Sequence, residues 1–97
     1  MAYRMKHLRP NLVVLLEGRP HRVELVNDCR ALCIPLARKI VTIKPLVGKP
    51  VTFSRPESGL SISPTADVPV LGLLRGNTVI RPNGEQQSTA SLLAQLP

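Results

Sequence analysis

Few side chains in this 97-residue sequence have types suited to acid–base, nucleophilic or metal chemistry. The histidines are His7 and His21, and the only carboxylates close to either of them in sequence are Glu17 and Glu24, on the two sides of His21. A catalytic imidazole at neutral pH needs a carboxylate or a nucleophile held beside it. Any hairpin with charged residues around its turn has a similar composition, so we interpret both histidines as structural or solvated groups.

The two cysteines, Cys29 and Cys33, lie four residues apart. A closed zinc site needs four ligands, usually in closely spaced cysteine pairs, and only the two distant histidines are available to complete it. We interpret both cysteines as small hydrophobes in a reducing compartment. The six glycines do not cluster into a phosphate-binding loop. We therefore expect no enzyme activity, no metal and no cofactor.

The charge distribution is the one functional signal in the sequence. Residues 1–55 carry eleven Lys or Arg against three carboxylates, whereas residues 56–97 carry two against three. Nine of the thirteen cations are Arg, whose guanidinium binds phosphate or carboxylate through two parallel hydrogen bonds. We expect strand pairing to gather the basic half into one surface. The candidate binding residues are Arg4, Lys6, Arg9, Arg19, Arg22, Arg38 and Lys39.

Such a surface predicts binding to the phosphate backbone of DNA or RNA, with salt-dependent and sequence-independent affinity. Tyr3 and Phe53 are the only aromatic residues, too few to build a platform on which bases stack. The first hypothesis is therefore a small accessory or regulatory nucleic-acid-binding protein of a phage, a plasmid or a bacterium.

The alternative hypothesis is a structural or interaction protein, such as a virion decoration or assembly protein, or an inhibitor that docks on a host complex. The cations would then meet an acidic protein surface, and strands would add to the edges of neighbouring sheets. Both hypotheses predict a homo-oligomer or a part of a larger assembly, located in the cytoplasm or, for a viral protein, on the virion. We expect no membrane partner, because no apolar run approaches the roughly 20 residues that span a bilayer.

The elements that must position these residues are short, because ten prolines interrupt the chain and exclude long helices over most of it. Apolar runs at 12–16 and 23–26 predict a β-hairpin around the polar break "EGRPHR" of residues 17–22. Residues 27–38 have two possible interpretations: one helical turn capped by Asn27 or Asp28, or a strand over 32–34 that ends at Pro35. Further strands are predicted at 40–43, 51–53, 60–63, 68–74 and 78–81.

Six or seven short strands separated by Gly and Pro predict a mainly β fold, either a small antiparallel barrel of SH3-like or Sm-like type or a compact sandwich. Residues 1–10 form a basic N-terminal arm, which Leu8 helps to anchor. Residues 11–82 form the β-barrel domain. Residues 83–97 form a C-terminal tail, in which residues 88–96 have the leucine spacing of a short helix.

Overall fold

The structure is a computed structural model that describes residues 7–95. Short strands make up most of the described chain, and one short helix follows them, so the predicted mainly β fold with a C-terminal helix is confirmed. The elements are β1 (Leu12–Leu16), β2 (Arg19–Val26), β3 (Ala31–Pro35), β4 (Arg38–Ile43), β5 (Val51–Pro56), β6 (Leu60–Ile62), β7 (Val70–Arg75), β8 (Thr78–Ile80), β9 (Gln86–Ser88) and α1 (Thr89–Gln95).

Seven of these strands form one antiparallel main sheet in the order β6-β3-β2-β1-β7-β8-β9. The sheet is open, since β6 and β9 lie at opposite edges and do not pair with each other. A closed barrel is therefore the wrong description of this sheet. The unpredicted strand β9 is polar throughout and carries no apolar alternation; it forms because it pairs with β8.

Strand β1 lies at the centre of the main sheet, and its uninterrupted apolar run is covered on both faces. Val14 and its neighbours at alternate positions pack in one cluster with residues of β2, β3 and β7. Val13 packs on the other face with Val79 and with Leu92 of α1. The helix begins after Ser88, whose Oγ accepts a hydrogen bond from the Ser91 amide at 3.1 Å.

Leu8 attaches the end of the predicted N-terminal arm to this core. It is 2% exposed, and its amide donates to the Pro64 carbonyl oxygen at 2.9 Å. Of the arm's predicted binding residues, Arg9 is exposed, while Arg4 and Lys6 lie outside the described residues.

The predicted polar break at 17–22 is wrong in its extent, because the connection between β1 and β2 is only Glu17 and Gly18. Both residues have positive φ (53° and 74°), as a two-residue type I′ turn requires. Arg19 therefore starts β2, and His21 is a strand residue buried to 2% exposure. Its Nδ1 donates to the Arg19 carbonyl oxygen at 2.8 Å, which supports the interpretation of His21 as a structural residue.

Of the two interpretations of residues 27–38, a helical turn or a strand, the structure shows strand β3, followed by the start of β4. The Asn27 side-chain oxygen accepts hydrogen bonds from the amides of Cys29 and Arg30, each at 2.8 Å. These bonds close a tight turn into β3, and this local turn takes the place of a helical cap.

Strands β3 to β6 form one long hairpin in two parts. Its inner part, β3 with β6, belongs to the main sheet, whereas its outer part, β4 with β5, is a separate two-stranded sheet. Between the parts, residues 34–37 lie opposite residues 57–59, so the chain between β3 and β4 carries one extra residue, and such a bulge bends a hairpin. Gly59 is required there, because a Cβ would lie 2.6 Å from Ile34 Cδ1 and 2.8 Å from the Cys33 carbonyl oxygen.

We call residues 38–56 the distal hairpin. The close contacts of its two strands are made with each other, so it extends away from the main sheet. The molecule measures 52 × 31 × 22 Å and has a radius of gyration of 15.5 Å. A compact chain of this length has a radius of gyration of roughly 12–13 Å, so the molecule is more extended than a compact domain.

Candidate interaction surface

The distal hairpin exposes large apolar side chains along its whole length. Leu46 and Val47 at its tip are almost fully exposed, and Ile43 and Val51 are 54% and 57% exposed. Soluble monomers seldom expose a contiguous apolar patch of this kind unless the patch is functional. The distal hairpin is therefore the first candidate for a binding surface.

The two faces of the distal hairpin differ in chemistry. Because side chains alternate along a strand, the observed pairing puts Val41 and Ile43 on the same face as their partners Phe53 and Val51. We call these four residues the apolar face. Lys39 and its partner Arg55 end this face where the distal hairpin joins the main sheet.

The opposite face, which we call the polar face, satisfies its own hydrogen-bonding groups. The hydroxyl oxygens of Thr42 and Thr52 are 3.1 Å apart. Arg38 donates to the Ser54 hydroxyl at 3.1 Å and to the Ser54 carbonyl oxygen at 3.0 Å. Ile40 is the large apolar residue of this face and is 67% exposed. The apolar face has no such side-chain hydrogen bonds and is the one left to contact another molecule.

The distal hairpin is also strongly basic, since residues 38–56 contain five cations and no carboxylate. Lys44 and Lys49 flank the tip, and Lys39 and Arg55 lie at the root. Within the described residues, none of these four side chains forms an ion pair or a hydrogen bond. The apolar face is thus bordered by free positive charge at both of its ends.

An ion pair joins the root of the distal hairpin to the main sheet. Arg19 Nη2 at the start of β2 lies 2.5 Å from Glu57 Oε2, just after β5. Both side chains are partly exposed, and an exposed pair of this type stabilises a fold by at most about 1 kcal/mol. Its consequence is local, because it occupies the Glu57 carboxylate, which lines the same open cavity of about 520 Å³ as Lys39 and Arg55.

Those predicted binding residues that fall within positions 7–95 do not form the single basic surface that the sequence suggested. Arg19 and Arg22 are three positions apart on β2 and so lie on opposite faces of the sheet. Arg22 lies 3.5 Å from the Glu24 carboxylate. Arg9 precedes β1 and Arg19 follows it, so a strand of roughly 17 Å separates them. Arg38 and Lys39 are both on the distal hairpin, on its polar and apolar faces respectively.

Several residues of this surface were not among the predicted ones. The sequence did not predict them because a net charge summed over residues 1–55 does not show which shorter stretches lack carboxylates. The uninterrupted stretch of 28 residues from 29 to 56, with six cations and no carboxylate, was the signal that could have found them. The residues added by the structure are Val41, Ile43, Lys44, Lys49, Val51, Phe53 and Arg55.

A larger open cleft of about 920 Å³ lies beside α1, and one of its lining side chains, Gln87, is already fully paired. Gln87 accepts a hydrogen bond from Arg81 at 2.5 Å and donates to Gln95 at 2.7 Å and to Ser91 at 3.3 Å. These bonds occupy the amide group of Gln87, which is therefore not free to bind a ligand in the cleft. Elsewhere, burial raises the pKa of the Cys33 thiol, which keeps that group protonated and unreactive.

Comparison with known proteins finds no matching family model, no matching curated protein and no matching solved structure. Among residues 7–95, no three side chains of His, Cys, Asp or Glu are grouped in a way that could hold a metal ion. No helix in the same range has the length and apolarity required to cross a membrane. We therefore argue function from the geometry of the distal hairpin.

Proposed function

We propose that this protein is an interaction module that binds a partner protein through the apolar face of the distal hairpin. The observation that carries this proposal is a cluster of four apolar side chains, three of them exposed and Val41 half-buried, on a hairpin that leaves the main sheet. Because the hairpin adds no residue to the core, its apolar composition is not explained by folding.

The charge of the distal hairpin specifies the chemistry of the partner. Lys39 and Arg55 at one end of the apolar face and Lys44 and Lys49 at the other call for anionic groups on both sides of an apolar strip. A second copy of this chain fits poorly, since the whole molecule is positively charged at +7. The proposed partner is therefore a different protein with an acidic surface.

The size of the surface constrains how the partner binds. One face of two six-residue strands covers only about 200 Å², whereas stable complexes bury about 800 Å² on each partner. We infer that the partner also receives the tip residues Leu46 and Val47, which are almost fully exposed. This mode resembles the insertion of a hairpin into a groove more than the contact of two flat surfaces.

Nucleic-acid binding remains the second candidate function, and the five cations of residues 38–56 favour it. These cations would contact backbone phosphates and give a salt-dependent affinity. Two features weigh against it. Arg19 and Arg22 are engaged by carboxylates, and the apolar face has no counterpart on a phosphate backbone. The finer predictions of an SH3-like or Sm-like fold, virion association and assembly into oligomers stay open beside either function.

The test uses variants that change one face at a time. Ile43→Thr combined with Val51→Thr removes apolar surface from the apolar face and keeps β-branched side chains. Ile40→Thr makes the same chemical change on the polar face and is the matched control. Proteins captured by the wild-type chain are identified, and each purified partner is then titrated against the three chains by calorimetry.

We expect the paired variant to weaken binding and Ile40→Thr to leave it unchanged. Burial of a fully exposed Ile or Val is worth about 1.5–3 kcal/mol, and each side chain is about half exposed, so the pair should cost about 2 kcal/mol, or roughly thirtyfold in Kd. Equal binding by all three chains would contradict the proposal. Light scattering that shows a dimer dissociated by the paired variant would instead identify a second copy as the occupant and overturn it.

Two further ligands separate the remaining possibilities. Duplex DNA that binds wild type and the paired variant equally, with a steep salt dependence, would replace the proposal with the nucleic-acid candidate. Vesicles containing anionic lipid that bind the wild-type chain through Leu46 and Val47, with no protein partner dependent on the apolar face, would also overturn it.

A further inference from the structure

A second binding feature lies at the root of the distal hairpin, apart from the apolar face. Lys39 and Arg55 are directly opposite each other on neighbouring strands. Cβ atoms of such partners are about 4.5–5.5 Å apart, and like charges in this position destabilise the pairing. No carboxylate pairs with either side chain in the described residues, so the repulsion is not relieved internally.

The cavity next to this pair has the donors that an oxyanion needs. It is open, has a volume of about 520 Å³, and is lined by Lys39, Arg55, Pro56, Glu57 and Ser58. The Arg55 guanidinium can donate two parallel hydrogen bonds, the Lys39 ammonium adds a point charge, and the Ser58 hydroxyl can donate a further bond.

Glu57 would oppose an anion here if it were free, but it is bound by Arg19 at 2.5 Å. Lys39 and Arg55 line the cavity with Glu57, and together with Arg19, which pairs with Glu57, these four groups have a formal charge of +2. A phosphomonoester carries a charge of about −1.5 to −2 at neutral pH and has three strong acceptor oxygens. Its charge and its acceptor geometry match the cavity better than those of a single carboxylate.

We propose that Lys39, Arg55 and Ser58 form a binding site for a phosphomonoester group, beside the ion pair of Arg19 with Glu57. The site does not depend on the apolar face, so it can exist whether or not the proposed function is correct. In the proposed complex it would hold a phosphorylated side chain of the partner protein at the root of the distal hairpin.

The test measures the binding of inorganic phosphate, a phosphoserine peptide and acetate to the full chain by NMR at constant ionic strength. The amides of Glu57 and Ser58 and the Arg55 Nε–H report on the site. Lys39→Gln combined with Arg55→Gln removes the two facing cations. Lys44→Gln combined with Lys49→Gln removes the same charge from the tip of the same hairpin and is the matched control.

We expect saturable shifts at the reporting groups with phosphate and with the phosphoserine peptide, and weaker binding of acetate. The root variant should lower phosphate affinity at least about tenfold, whereas the tip variant should change it less than about threefold. Tighter binding of the peptide than of free phosphate would assign the source to a phosphorylated side chain; the reverse would assign it to the free ion.

Three outcomes would overturn this proposal. Shifts that grow linearly with phosphate and do not saturate would show no site, as would equal losses in the root and tip variants. Duplex DNA that binds more tightly than the phosphoserine peptide and depends equally on the tip lysines would show a diffuse backbone contact.

A loss of protein binding in the Ile43→Thr, Val51→Thr chain without change in phosphate affinity would separate this site from the proposed function.

Discussion

The distal hairpin should be removable without loss of the main sheet. We consider a chain in which residues 40–54 are replaced by Asn-Gly, so that Lys39 and Arg55 become the ends of a two-residue turn. The observed pairing already places these two residues opposite each other, and Asn-Gly is the favoured sequence for such a turn. We expect the shortened chain to fold with its free energy of unfolding changed by less than about 1 kcal/mol.

The expected size follows from burial. No residue between 38 and 56 is buried, and none belongs to either core cluster. An isolated two-stranded hairpin is marginally stable in water, so its loss removes little net free energy. Leu12, by contrast, is 5% exposed in the larger cluster, and Leu12→Ala should cost about 2–5 kcal/mol.

Urea unfolding followed by circular dichroism measures both changes, and amide NMR spectra show whether the main sheet is retained. The Leu12→Ala chain provides the scale for a true core loss. The reasoning would be refuted if the shortened chain failed to fold, or if its unfolding free energy fell as far as that of Leu12→Ala. Either result would mean that the distal hairpin packs against the main sheet and is part of the fold.

The remaining predictions concern the main sheet. Gly72→Ala would place a Cβ 2.4 Å from the Ile80 carbonyl oxygen, so β7 and β8 must separate at a cost of about 1–3 kcal/mol or more. At Gly76 an added Cβ would meet no atom within 4 Å, but the backbone keeps a φ of 59°, so Gly76→Ala should cost only about 1–2 kcal/mol. Urea titration that ranks Gly76→Ala as more damaging than Gly72→Ala would contradict this. Because burial raises the pKa of Cys33, the thiol of the unfolded chain ionises at a lower pH than that of the folded chain. The contribution of this thiol to the free energy of unfolding should therefore be full below the ordinary thiol pKa and should decline as pH rises through the pKa of the folded chain. Cys33→Ala should remove this decline, and an identical pH dependence in both chains would argue against it.

Local patterns in the sequence predicted most strands but not the sheet that they form. The apolar run of β1 and the alternation in residues 40–43 identify strands because each reflects neighbouring side chains. The pairing of Val14 with Val70 joins residues far apart in sequence, and no local pattern carries it. The same limit explains why the edges of the main sheet, and hence its openness, were not predicted.

The polar break at 17–22 shows a different limit. Its charged composition predicted a basic loop, yet a two-residue turn leaves Arg19 and Arg22 on a strand, where alternation sends their side chains to opposite faces. Composition counts cations but does not assign them to a face or to a carboxylate partner. The candidate surface depended instead on the change of register between the β3-β6 and β4-β5 pairs, where the distal hairpin separates from the main sheet.

Hydrogen–deuterium exchange on the free chain and on its complex with a captured partner is the most direct test of the proposed interaction surface. In the free chain, the amides of β4 and β5 should exchange faster than those of β1 at the centre of the main sheet. Binding should then slow exchange chiefly within residues 38–56, and Ile43→Thr with Val51→Thr should abolish that protection. Protection confined to the main sheet or to α1, with residues 38–56 unchanged, would contradict the claim that the distal hairpin is the interaction surface.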